Sequence, residues 1–172
     1  LLEDSSAEVQ ILTKSAAVRD VFKLIEEKED YRKRVNVGMS ITGLQEHEDL
    51  IRVIEPNASP ISERIKAMHE AHERGLRTYA TFGPILPGLF RDADHIAELL
   101  KLARDWGAER IWCEPVNARG TSLVNCEKDL RAAGFEKEAD EVHAIQKQKV
   151  WSKYAMGLTR DIQKAARALG LM

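Results

Sequence analysis

A chain of 172 residues has room for one packed domain and not for two full ones. Its 44% hydrophobic and 31% charged residues supply a core and a solvated surface, which excludes a disordered chain. With 26 basic against 28 acidic side chains the net charge is -2, which argues against a dedicated nucleic-acid module but leaves a local basic patch open.

The opening residues Leu1-Leu2 run at once into Glu3-Asp4, so they do not read as a secretory signal. No apolar run approaches the roughly 20 residues that span a bilayer. Cys113 and Cys126 are too few for a disulfide scaffold and wrongly spaced for a zinc knuckle. We therefore expect a soluble, cytoplasmic protein of a reducing compartment, without a membrane partner. The chain starts without Met and enters a strand by about residue 9, so it reads as a piece of something longer.

Val9 to Leu12 is a short apolar run, and Val18, Val21, Phe22 and Ile25 follow it on one helical face. Val35 to Thr42 reads as a buried strand stopped by Gly43. Glu55-Pro56-Asn57-Ala58 is turn chemistry, after which Ser59 serves as N-cap and Pro60 opens a helix facing inward through Ile61, Ile65 and Met68. Gly75 ends that helix, and Leu76 to Phe82 is the next strand, broken by Gly83-Pro84 and Pro87-Gly88. Asp92 caps a helix with the apolar face Ile96, Leu99, Leu100 and Ala103; Gly107 closes it, and Arg110 to Glu114 is the last strand. The order β-α-β-α-β-α-β implies parallel strands with right-handed crossovers, hence an α/β fold.

Past Gly120 the strand signal stops. Leu123, Cys126 and Leu130 suit one helix, and a longer one from about Lys137 carries Val142, Ile145, Trp151 and Tyr154. Ile162, Ala165, Ala166 and Leu169 suit a terminal helix stopped by Gly170. We expect Trp151, Tyr154 and Ile162 to be largely buried against residues before 120. The boundaries are thus residues 1–120 for the sheet region and 121–172 for a helical extension.

Functional groups of parallel α/β folds collect at the C-terminal ends of strands. Here those ends carry Thr13, Lys14 and Ser15; Ser40 and Thr42; the Gly83–Gly88 turn; and Glu114, Asn117 and Arg119. Lys14 can bind an anion, act as a Schiff-base nucleophile, or simply be solvated. Ser40 can meet a ligand or the backbone. Glu55 and Arg64 can form a carboxylate-binding pair, though a surface salt bridge is the commoner outcome. His69 and His72 lie on one helix without a third ligand and read as a solvated face; His47, His95 and His143 are isolated. Gly83 to Gly88 lacks the lysine of a phosphate loop. Trp106, Trp112 and Trp151 have no interleaved basic residues and read as core.

Taken together, Ile11-Leu12-Thr13-Lys14-Ser15 with Val18-Arg19-Asp20, Val35 to Thr42, Ile54 to Pro60 with Arg64, and Pro84 to Leu89 resemble the radical S-adenosylmethionine (SAM) superfamily, in its branch similar to spore photoproduct lyase and DNA repair photolyases. The resemblance covers about residues 9–120. It implies an incomplete TIM-like (β/α)6 barrel of about four parallel strands with covering helices, here strands three to six. It also implies SAM held by Lys14, Ser40 and Thr42, with Arg64 and Asn117 as looser carry-overs. Family enzymes carry a four-iron, four-sulfur cluster on Cys-x-x-x-Cys-x-x-Cys, a motif this chain lacks. Two cysteines cannot supply three thiolates, so we expect the cluster in the missing N-terminal part of the parent and none on this chain. No catalytic residue or metal ligand is assigned. The partner is that missing part or a second copy of the chain, with nucleic acid open as a substrate. Two other readings stand beside this one: a lysine-dependent, aldolase-like enzyme using Lys14, and a non-catalytic half-barrel that binds through its open sheet edge.

Overall fold

The computed structural model describes residues 2–90, 93–118 and 120–171. Strands β1 (Val9–Thr13), β2 (Val35–Ile41), β3 (Arg77–Ile85) and β4 (Arg110–Pro115) lie side by side in that order, each pair parallel. The connection from β1 to β2 holds a 3-10 turn over Ala16–Val21, then α1 (Phe22–Glu26) and α2 (Glu29–Arg34). A 3-10 turn over Gln45–His47, α3 (Glu48–Ile54) and α4 (Ile61–Glu73) lead to β3, and α5 (Ala93–Asp105) leads to β4. Helices α6 (Ser122–Ala132), α7 (Glu136–Ala144) and α8 (Gln148–Ala168) follow. The fold is α/β, a four-stranded parallel sheet with covering helices.

Strand alternation divides the sheet into two faces. Val37, Met39, Ile41, Ala80 and Phe82 are buried in one cluster with Phe22 and Ile25 of α1, Ile61, Ala67, Met68 and Ala71 of α4, and the α5 stripe Ile96, Leu99, Leu100 and Ala103. The other face carries the row Leu12, Gly38, Tyr79 and Arg110 and the row Ser40, Thr81 and Trp112. At the two edges that face is open, with Leu12 51% and Trp112 46% exposed. Trp112 therefore departs from the core role expected of it, whereas Trp106, the residue after α5, is fully buried beside Phe82.

A second cluster sits over the strand ends. Leu50 of α3, Leu86 and Leu89 after β3, and Val116 after β4 meet Leu123, Leu130, Ala139, Val142 and Ile145 of α6, α7 and the residue after α7. Helix α8 spans both clusters. Its Trp151 indole donates to the Val116 carbonyl at 2.7 Å and its Tyr154 hydroxyl to the Ile85 carbonyl at 2.6 Å. Trp151, Tyr154 and Ile162 do rest on residues before 120, but they are half-buried rather than largely buried.

Several local expectations change. The Gly83-Pro84 pair does not end β3; the strand runs on to Ile85 through an irregularity after Phe82. Ser59 is not the N-cap of α4. Pro60 holds that position, and the Ser59 hydroxyl instead accepts the Ala16 backbone N–H at 2.9 Å. The orphan N–H of Ile61 is taken by the Glu48 carboxylate at 2.8 Å. The long helix expected from Lys137 is broken between Ala144 and Gln148, and one helix then carries Trp151 through Ala168. Helices α2 and α3 had no signal in the periodicity. The expected cap Asp92 lies outside the described residues, as does Arg119. Among the described residues no helix is long and apolar enough to cross a membrane.

Candidate functional site

The C-terminal ends of β1 and β2 converge on the carboxylate of Glu55. Lys14 is one residue beyond the β1 ladder and continues the row of Ser40, Thr81 and Trp112. Its ammonium pairs with Oε1 of Glu55 and lies 3.4 Å from the Thr42 hydroxyl, which also hydrogen-bonds to Oε1. Arg64 approaches from α4 and donates to Oε2 of Glu55 at 2.9 Å. The same guanidinium donates to the Ser59 carbonyl at 2.6 Å and the Ser40 carbonyl at 3.2 Å. Ser40 donates its hydroxyl to the Gly83 carbonyl at 2.9 Å, tying the end of β2 to β3.

Local folding explains this convergence. Helix α3 stops at Ile54, and the turn that follows aims Glu55 back at the strand ends. The backbone N–H of Ser59 donates to the Lys14 carbonyl at 3.0 Å, clamping the segment after β1 to the segment before α4. A surface salt bridge was the ordinary expectation for Glu55 and Arg64, and it is overturned: the two side chains are only 9% and 1% exposed. Lys14 differs, with 31% of its side chain exposed. It opens onto a cleft of about 410 Å³ lined by Thr13, Lys14, Ser15 and the turn Glu55–Ala58.

Burial works against the charge on Glu55. Hydrogen bonds from Lys14 and Thr42, with the positive charges of Lys14 and Arg64, outweigh it and hold the carboxyl below its ordinary pKa of 4.5. A negative group thus rests between two cations and a hydroxyl. Charge-assisted bonds of this kind are about twice as strong as neutral ones.

Of the residues singled out by sequence, Lys14, Ser40, Thr42 and Arg64 come together in one network. Asn117 does not join that group; it stands on an exposed segment past β4, at the opposite edge of the sheet from Lys14. Arg64 spends its donors on the protein, so it braces the site rather than facing the cleft. Glu55 is the residue that joins the group, and the sequence marked it by its place in the turn before Ser59 and by its possible pairing with Arg64.

The cysteines lie elsewhere. Cys113 of β4 packs against the sheet core and Cys126 of α6 against the second cluster. Burial pushes the Cys113 thiol up to about 12, and burial with the nearby Asp129 charge pushes Cys126 to about 11. Two thiols in separate cores do not fit a cluster bound by three.

No protein-family profile matches the chain, and no solved structure matches it significantly. Two curated proteins are similar to it. One, an uncharacterized protein of Acidianus two-tailed virus, is 28% identical over 135 residues, which is 76% of this chain and 43% of the relative. The other, an uncharacterized protein of Methanocaldococcus jannaschii, is 33% identical over 96 residues, covering 54% of this chain and 33% of the relative. The chain spans less than half the length of these relatives.

Proposed function

We propose that this chain is the later part of a radical SAM (β/α)6 half-barrel and that its strand ends hold the amino-acid portion of SAM. The observation that carries this reading is the Lys14–Glu55 pair at the cleft. An α-amino acid presents a carboxylate and an ammonium on one carbon. A half-exposed lysine beside a buried glutamate offers one partner to each. Lys14 would meet the carboxylate and Glu55 the ammonium, while Arg64 stays behind Glu55 and keeps it in place.

The remaining residues orient and exclude water. Thr42 fixes Glu55 and lies within reach of the Lys14 ammonium, so both charged groups keep one geometry before ligand arrives. Ser40 spends its proton on Gly83, which leaves its oxygen lone pairs to accept from a sugar hydroxyl. Lys14, Glu55, Thr42 and Ser40 would hold SAM, which would supply radical chemistry only with a cluster contributed from outside this chain. The sequential parallel sheet with one face uncovered at Leu12 and Trp112 supports the half-barrel part of the reading.

The aldolase alternative has less support. A Schiff-base lysine must offer a neutral amine, and Lys14 is engaged by a carboxylate.

Titration calorimetry of the chain with SAM and with decarboxylated SAM tests the proposal. SAM should bind at least tenfold more tightly, as expected when a charge-assisted hydrogen bond worth about 1.5–3 kcal/mol is lost. Lys14→Ala should erase the difference between the two ligands. Absent SAM binding, or equal affinity of the intact chain for both, would remove the assignment.

A further inference from the structure

Strand β4 is at the end of the strand order, so among the described residues only one of its edges pairs with another strand. Glu109, just before the strand, donates its backbone N–H to Thr78 at 2.8 Å, toward β3. Alternation turns the N–H and C=O of Arg110 and Trp112 the other way, outward from the sheet. Along the strand, Arg110, Trp112 and Glu114 are exposed while Ile111 and Cys113 are half-buried. The exposed face therefore reads positive, aromatic, negative, with Trp112 at its centre.

That order is self-complementary. Two such strands placed antiparallel about a twofold axis through Trp112 set Arg110 of each copy opposite Glu114 of the other. The two Trp112 rings meet at the axis, and Ile111 of each copy lies opposite Cys113 of the other on the helix side. On that side a groove of about 540 Å³ runs between β4 and α8, with Ile111, Cys113, Ile162 and Ala166 in its lining. A second copy would cap it. We propose that the chain forms a homodimer by antiparallel β4–β4 pairing, joining two four-stranded sheets into one of eight. The twofold makes the contact isologous and closed, so it ends at two copies. It also covers a sheet edge that otherwise offers unpaired backbone groups to any strand. A third chain with a different strand would lack the matching order of charges.

Sedimentation velocity across a concentration series of the chain tests this, with a charge swap as control. The parent should show a concentration-dependent dimer. Arg110→Glu or Glu114→Arg alone turns both cross-strand pairs repulsive and should raise the dimer Kd by about tenfold or more. The double variant Arg110→Glu with Glu114→Arg restores opposite charges and should restore the dimer. Both positions are exposed, and unchanged circular dichroism will confirm folding. A parent that stays monomeric at every concentration overturns the proposal. So does a dimer indifferent to the single variants, or a double variant as weak as the singles.

Discussion

The ring of Tyr79 occupies the space that a side chain on Gly38 would need. The two residues are register partners on β3 and β2, and a Cβ at position 38 would fall 2.2 Å from the ring. Glycine thus lets a large aromatic from the neighbouring strand lie over the open face of the sheet. Gly38→Ala should destabilise the chain by about 1–3 kcal/mol, the usual cost of overpacking. In a Tyr79→Ala background the same change should cost far less. Urea denaturation of the four chains gives the coupling, and additive effects would refute the steric account.

The Glu55 network should dominate local stability. Glu55→Gln leaves the Arg64 guanidinium buried without its counter-charge, a defect that costs about 3–5 kcal/mol in comparable pairs. Glu55→Gln measured against Arg64→Met with Glu55→Gln separates the stranded charge from lost packing. The double variant should recover part of the loss; a double variant less stable than Glu55→Gln would count against this reading.

Acid should act through the same residue. Its folded pKa lies below the ordinary 4.5, so Glu55 contributes stability above that value and loses it as pH falls through the folded pKa. The urea midpoint should therefore drop below about pH 4.5. The drop should be shallower in Glu55→Gln, where this carboxyl no longer titrates. Parallel pH profiles for the two chains would show that the stabilising charge lies elsewhere.

Helix α8 is pinned by two side-chain bonds to strand-end carbonyls. Tyr154→Phe removes one donor and keeps the ring, so it should cost about 1 kcal/mol, and Trp151→Phe, which also loses half of the indole, should cost more. Hydrogen exchange should rise in α8 before it rises in β2. Equal protection in both variants and parent would mean that apolar packing alone holds the helix.

Thiol chemistry reports burial directly. With Cys113 raised to about 12 and Cys126 to about 11, both should react with a disulfide reagent at pH 8 more slowly than free cysteine, Cys113 the slower of the two. Single Cys→Ser variants assign the phases. Fast reaction of Cys113 in the folded chain would contradict its placement against the sheet core.

The apolar stripe of α5 was legible because Ile96, Leu99, Leu100 and Ala103 repeat at the helical period. The four strands were legible as short apolar runs set off by polar turn residues or by glycines that stop a strand or the preceding helix. Period and turn chemistry are local properties, so the amino-acid sequence alone determined the alternation of strands and helices and the α/β class. It also marked Lys14, Ser40 and Thr42, because strand ends are where polar residues interrupt an apolar run, whereas Arg64 was marked by its possible pairing with Glu55 and by the resemblance.

Other features needed the tertiary structure. Helix α3 is too short to show a period, and without it nothing indicated that Glu55 would turn inward. Whether Glu55 and Arg64 meet at the surface or out of water depends on what α4 and the strand ends bury around them. Trp112 looks like a core residue by type; only the strand order, which leaves β4 at an edge, exposes it. Burial and partnership are set by residues far apart in the chain. The network on Glu55 joins residues 14, 42 and 64 because three separate segments close over one carboxylate, and no local pattern encodes that closure.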